Sequence, residues 1–171
     1  MKILVTGARG FVGKNLIFEL KNRGYHDIDE FDVDSDSSLL DTYTKNCEFV
    51  IHLAGVNRPK DEKEFMEGNF GFTTILLDKL KMHGNKAPIL ITSSIQAELD
   101  NPYGKSKKAG EDLLFSYGEE TGAKVLVYRF QNVFGKWCKP NYNSAVATFC
   151  NNIAHDLPIQ VNDPKAIIHL I

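Results

Sequence analysis

Eight residues near the N-terminus constrain this chain more than any others: Thr6-Gly7-Ala8-Arg9-Gly10-Phe11-Val12-Gly13. They follow directly on the apolar triplet Ile3-Leu4-Val5 and lead into Val12, Leu16 and Leu20, which recur at four-residue spacing. The triplet predicts a short buried strand, and the spacing predicts one face of a helix that stops at Gly24. Glycines placed between a first strand and a first helix have a physical reading. Gly7 turns the chain out of the strand, Gly10 lets the backbone come close to a pyrophosphate, and Gly13 lets the helix pack tightly on the sheet. The helix N-terminus then offers unpaired N–H groups and a partial positive charge to an anion. The position of the G-x-x-G-x-x-G run, rather than its composition, makes it a phosphate cradle and not an ordinary turn.

The rest of the chain alternates in the same manner. Apolar runs at 28–31, 49–53, 88–91 and 125–130 predict strands. Residues 39–46 predict a short helix, Phe72, Ile75, Leu76 and Leu80 a second helical face, and 143–154 another helix. Between them, Asn101-Pro102 opens a helix that runs through Ala109, Leu113 and Tyr117 to Gly122. Strands alternating with helices predict an α/β chain, a Rossmann-type doubly wound parallel sheet with helices on both faces. Residues 1–171 are read as one dinucleotide-binding domain. The closing run Ala166-Ile167-Ile168-His169-Leu170-Ile171 reads as a strand cut short, so a longer protein with a C-terminal substrate region is expected.

Charge and cysteine usage exclude several classes. With 20 Lys+Arg against 22 Asp+Glu the net charge is −2, so there is no broad basic field for nucleic acid. No run reaches the roughly 18 apolar residues of a membrane span. Cys47, Cys138 and Cys150 are odd in number and form no C-x-x-C pair, which suggests neither a disulfide framework nor a metal site. A reducing cytoplasm is the simplest location.

Cofactor choice is pulled two ways. Asp32 lies 19 residues after Gly13, where a carboxylate can accept both adenosine ribose hydroxyls. It would repel a 2′-phosphate, and Asp27 to Asp36 holds six acids, which favours NAD(H). Arg9, inside the glycine turn, could pair with a 2′-phosphate. The residues alone leave the choice open.

A second constellation lies downstream. Tyr103 and Lys107 are four apart at a helix start and share a face. A free Tyr titrates near 10, and bringing it to neutrality takes roughly 4 kcal/mol of phenolate stabilisation. The Lys107 ammonium and an oxidised nicotinamide could supply it. Ser94 ends the fourth predicted strand, where its hydroxyl can hydrogen-bond a substrate carbonyl.

With these residues in place, the chain resembles the extended short-chain dehydrogenase/reductase family, the NAD-dependent epimerases and dehydratases. The likeness rests on Thr6 to Gly13, His52-Leu53-Ala54-Gly55, Asn69, the set Ser94, Tyr103 and Lys107, and Arg129-Phe130-Gln131-Asn132-Val133-Phe134-Gly135. It implies Tyr103 as acid/base, Lys107 on the cofactor ribose and Ser94 on the carbonyl. It also implies cofactor contacts from Gly7, Arg9, Gly10, Phe11, Val12, Gly13, Asp32, Leu53, Ala54, Gly55 and Asn69.

The segments His52 to Pro59, Ser93 to Ala97, Asp100 to Gly104 and Gly135 to Ser144 resemble one branch of that family. Its members are reductases of UDP-linked 4-keto-6-deoxy sugars in bacterial capsule synthesis. That likeness implies NADP(H), substrate contacts from Asn57, Arg58, Asn132, Lys139 and Asn141, and a C-terminal cupin domain of which this chain holds nothing. A UDP-linked sugar is the expected partner, and a homodimer is an assembly the reading allows. Two other functions stand beside it: a nucleotide-sugar 4-epimerase with retained NAD, which suits Asp32, and a non-catalytic dinucleotide sensor. A 4,6-dehydratase fits less well, because Ile95-Gln96 follow Ser94 where that chemistry uses an acidic pair.

Overall fold

The computed structural model describes residues 1–171, which form two compact units, Met1–Arg129 and Phe130–Ile171. Five parallel strands organise the first. Strand β1 (Ile3–Thr6) pairs with β2 (Ile28–Phe31) on one side and β3 (Phe49–His52) on the other, and β3 pairs with β4 (Ile89–Ser94). With β5 (Val125–Phe130) the order is β2-β1-β3-β4-β5. The chain leaves β1 toward β2 and then crosses back to β3, so the order reverses between β1 and β3. Crevices outside the strand C-termini at such a reversal are where open α/β sheets bind ligands. Register levels those ends: Thr6 stands opposite Phe31 and His52, and His52 opposite Ile91.

Both sheet faces are covered, as a parallel sheet requires. One core contains Leu4, Val50, Ile89, Leu76, Leu80, Leu114 and Tyr117; the other contains Ile3, Val5, Ile17 and Ile51. Helix α1 (Phe11–Asn22) buries Gly13 and Ile17, with Leu16 and Leu20 packed at the flank. Helix α2 (Ser37–Asn46) is capped by Asp36, which accepts from Ser38 N at 2.9 Å.

Beyond β3, α3 (Lys63–Phe65) runs into a π-helical turn, Met66–Gly71, and then α4 (Phe72–Met82). The face of α4 centres one residue later than its apolar spacing predicts: Thr73, Leu76, Leu77 and Leu80 are buried, and Ile75 is 52 % exposed. A 3₁₀ turn, Ile95–Glu98, follows β4. Helix α5 (Pro102–Thr121) starts where Asn101 accepts from Gly104 N at 2.7 Å and ends at Gly122, whose φ of 76° suits glycine.

The second unit carries α6 (Ala145–Ala154), capped by Ser144. The strand expected at 166–171 does not form as a regular element. A single parallel bridge joins Asn132 to Leu170, with Asn132 N donating to His169 O and Ile171 N to Asn132 O. Only one edge is paired and the side chains find no cover: Ile167 is 84 % exposed. No helix is long and apolar enough to cross a membrane, and no three His, Cys, Asp or Glu side chains converge as a metal site.

Candidate active site

The glycine run lies between the ends of β1 and β3. Gly7 has φ +67°, and a Cβ there would stand 2.7 Å from Ala54 N. A Cβ on Gly13 would stand 2.3 Å from Gly7 O, so helix α1 reaches the turn only because residue 13 has no side chain. Gly10 caps α1 without any side-chain acceptor, and the first turn holds no acid. The first N–H groups of α1 are thus left to an anion. The Phe11 and Val12 N–H groups point out of this cradle, whose chemistry suits a dinucleotide pyrophosphate, while Gly10 N donates to Gly7 O at 3.1 Å and closes the turn.

Asp32 directly follows β2, and both its oxygens are engaged. Oδ2 accepts from Arg9 N at 2.7 Å and Oδ1 from Val33 N at 2.8 Å. The Arg9 guanidinium donates to Asp34 at 2.8 Å and to Ser35 Oγ at 2.9 Å. The acidic stretch is partly compensated: Asp27 and Asp29 face Lys2, Glu30 faces Lys21, Asp34 faces Arg9, and Asp36 caps α2. Three cations thus stand against six acids, which halves the repulsive field expected from the sequence and leaves Asp32 without a charged side-chain partner.

On the other side of the cleft, Asn69 reaches from the π-helical turn to the loop after β3. Its Oδ1 accepts from Val56 N at 3.0 Å, and its Nδ2 donates to Val56 O at 2.8 Å and to Ser106 Oγ at 3.0 Å. Ser106 Oγ in turn donates to Tyr103 O at 2.7 Å. Only glycine fits beneath this clamp, since a Cβ on Gly55 would stand 2.6 Å from Asn69 Oδ1 and 3.1 Å from Lys107 Nζ. Lys107, Gly55 and Asn69 are thereby brought together. Asn57 and Arg58 follow on the exposed rim of the same loop.

Lys107 Nζ donates to Thr92 O at 3.3 Å and lies 5.9 Å from the centre of the Tyr103 ring. Burial lowers its pKa to about 8, and Glu111, one turn along α5, pulls the other way. Burial holds the Tyr103 phenol above the usual range, opposed by a hydrogen bond with Ser94, and no pull from Lys107 contributes. Phe65 packs on the Tyr103 ring at 5.6 Å ring to ring. Ser94 ends β4 and accepts from Gln96 N at 3.2 Å, which fixes the turn beside the phenol.

Two supports were not legible as functional in the sequence. Glu111, 1 % exposed, accepts from Arg129 Nε at 2.8 Å and Nη2 at 2.6 Å, while Arg129 Nη1 donates to Glu98 at 2.6 Å. Burial alone would raise the Glu111 carboxyl, but Arg129 outweighs it and holds it low. One guanidinium thus ties the turn after Ser94 to the helix of Tyr103 and Lys107. His52 is also buried and held neutral: burial, then the Lys107 charge, lowers its pKa to about 3. The spacing of Glu111 four residues after Lys107 was the one available signal for the first; nothing in the pattern marked the second as more than a packed ring.

Asn132, Lys139 and Asn141 lie in the second unit. Asn132 Nδ2 donates to His169 O at 3.1 Å, Lys139 Nζ lies 5.7 Å from the Tyr142 ring centre, and Asn141, at φ 54°, donates its N–H to Thr148 Oγ1 at 2.9 Å.

Comparison with known proteins identifies the family and the fold. The profile of the NAD dependent epimerase/dehydratase family matches residues 3–166. The chain is 50 % identical over 171 residues to the UDP-2-acetamido-2,6-beta-L-arabino-hexul-4-ose reductase of Pseudomonas aeruginosa, covering all of this chain and 46 % of that protein. It superposes on the capsular polysaccharide assembling protein CapF of Staphylococcus aureus with TM-score 0.89 at 49 % identity, again covering all of this chain and 46 % of that one. A UDP-glucuronic acid 4-epimerase from Bacillus cereus, solved with NAD, shares the fold at 23 % identity and TM-score 0.80, over 94 % of this chain and 66 % of its own. The chain spans about half the length of the curated relatives it matches.

Proposed function

Because the chain belongs to the NAD dependent epimerase/dehydratase family, we propose that it is the dinucleotide-binding and catalytic portion of a reductase. Its substrate is a UDP-linked 4-keto-6-deoxy-hexose or hexosamine, serving capsule or surface polysaccharide synthesis in bacteria. The observation that carries this reading is 50 % identity to such a reductase over the whole chain, with Ser94, Tyr103 and Lys107 together at the strand ends. When bound, the nicotinamide supplies the hydride that reaches the sugar C4. Ser94 hydrogen-bonds the carbonyl oxygen and orients it. Tyr103 gives its phenolic proton to that oxygen as the carbonyl electron pair becomes an alkoxide, leaving an alcohol and a phenolate. Lys107 holds the nicotinamide-side ribose and steadies the phenolate. Asn57 and Arg58, on the rim, contact the nucleotide-sugar.

NADP(H) is the cofactor this reading favours. The Arg9 guanidinium, at the glycine turn, is held by a hydrogen bond to Ser35 Oγ and an exposed pair with Asp34, the latter an interaction of little net strength, so it can turn to a 2′-phosphate. A second reading, a 4-epimerase with retained NAD, draws on the Asp32 carboxylate at the end of β2. The deciding assay adds a UDP-linked 4-keto-6-deoxy-hexosamine and reduced dinucleotide and follows nicotinamide absorbance. A stoichiometric fall with the C4 alcohol as product supports the reductase. Interconversion of 4-hydroxy epimers without net loss of reduced dinucleotide supports the epimerase.

A further inference from the structure

Thr6, His52, Thr73 and Asn69 form one buried line across the cleft. The His52 Nδ1 atom lies 2.6 Å from Thr6 Oγ1 and its Nε2 atom 2.9 Å from Thr73 Oγ1. The directions of these bonds follow from proton supply. Thr73 Oγ1 lies 2.5 Å from Asn69 O, and the only hydrogen available between those oxygens is the Thr73 hydroxyl proton. Thr73 therefore accepts from His52 Nε2–H. A neutral ring has one N–H, so Nδ1 accepts from the Thr6 hydroxyl. Thr6 Oγ1 in turn accepts from Ala54 N at 3.4 Å. The line runs one way, from Ala54 N–H through Thr6, His52 and Thr73 to Asn69 C=O, and the Asn69 side chain continues it to Val56, Ser106 and Tyr103 O.

We infer that His52 is a positioning residue, the pivot of a directional hydrogen-bond chain that holds the loop Leu53–Val56 between the phosphate cradle and the catalytic helix. The loop is gripped at both ends by this chain: Ala54 N–H by Thr6, and both polar groups of Val56 by Asn69. The line also braces the π-helical turn, a less stable form than an α-helix, where Phe72 N donates to Glu67 O. The catalytic consequence rests on the dinucleotide-site reading above; the tether itself does not.

Thr73→Val keeps the shape and deletes the hydroxyl, removing the acceptor of His52 Nε2–H and the side-chain donor to Asn69 O. Hydrogen exchange at the Val56 amide is expected to speed up about tenfold or more, matching the loss of one ordinary hydrogen bond, while amides of β1 and β4 stay protected. Affinity for NADPH should fall in parallel, and Thr73→Ser should restore both. Nitrogen NMR of the wild-type chain at neutral pH should show His52 protonated on Nε2 alone, a readout that survives if the variant does not fold. Protonation on Nδ1, or Val56 exchange unchanged in a folded Thr73→Val chain, overturns the tether. Faster exchange with unaltered NADPH affinity overturns its role in the site. A wild-type chain that binds no dinucleotide sinks the reading of the previous section, and the exchange pair and the tautomer still judge the tether.

Discussion

Asn69 and Val56 bind each other as a closed pair: the side-chain amide takes the Val56 N–H at 3.0 Å and gives its own N–H to the Val56 carbonyl at 2.8 Å. Asn69 is 4 % exposed, so it has little room to yield. Gly55→Ala would press a methyl group into Asn69 Oδ1 and toward Lys107 Nζ. The expected outcome is a loss of about 1–3 kcal/mol in stability from overpacking, read as a lower urea midpoint, together with weakened dinucleotide binding. An unchanged midpoint and affinity would show that the clamp gives way freely.

Tyr103→Phe deletes one hydroxyl from a half-buried ring. Turnover on the 4-keto sugar is expected to fall about 100- to 10,000-fold, the usual worth of a positioned acid, with dinucleotide affinity nearly unchanged. Stopped-flow turnover beside a fluorescence titration separates the two. Equal turnover removes Tyr103 from the chemistry.

Lys107 has its pKa lowered by burial from 10.5 to about 8, against the pull of Glu111. The unfolded chain therefore binds the extra proton between about pH 8 and 10.5. The burial penalty is fully felt below 8 and is relieved as the pH rises through that window, at up to about 1.4 kcal/mol per pH unit. Wild type minus Lys107→Met in denaturant stability should rise across pH 8 to 10, a difference in which the tyrosines and Cys47 cancel. Affinity for the dinucleotide moves oppositely, falling in the wild type above about 8 as the ammonium is lost. A flat difference would mean that Lys107 is better solvated than its surroundings indicate.

His52 gives the opposite limb. Its folded pKa of about 3 lies below the ordinary 6.5 because the ring is buried and the Lys107 charge disfavours a second cation. The unfolded chain binds the extra proton between those values, so this contribution to stability is present above 6.5 and is lost as the pH falls toward 3. His52→Gln cannot titrate there and should show a shallower decline in urea midpoint between pH 6.5 and 4. Parallel declines in the two proteins would place the acid sensitivity elsewhere.

The sheet is legible because its strands are written locally. The runs at 28–31 and 125–130 coincide with β2 and β5, and Asn101-Pro102 marks the start of α5 to the residue. Ser94, Tyr103 and Lys107 sit at a strand end and a helix start, which are the places pattern reading finds best. Other features are made by partners distant in sequence. The π-helical form of Met66–Gly71 has no local signature, and the Asn69 side chain within it binds Val56 and Ser106, far away in sequence. Arg129 meets Glu111 from 18 residues away. The acids of 27–36 look like a field until Lys2, Lys21 and Arg9 come alongside them from neighbouring elements. The depth that raises Tyr103, and the one-sided pairing at 166–171, are likewise tertiary facts.

Dinucleotide binding tests the central claim most directly. In a fluorescence titration of the wild-type chain with NADPH and NADH side by side, the account expects saturable binding of both, tighter for NADPH, with that margin narrowed in Arg9→Ala. Tighter binding of NADH would return the choice to Asp32 and to the epimerase. Binding of neither would contradict the reading of Gly7 to Gly13 as a phosphate cradle, and with it the enzyme built on it.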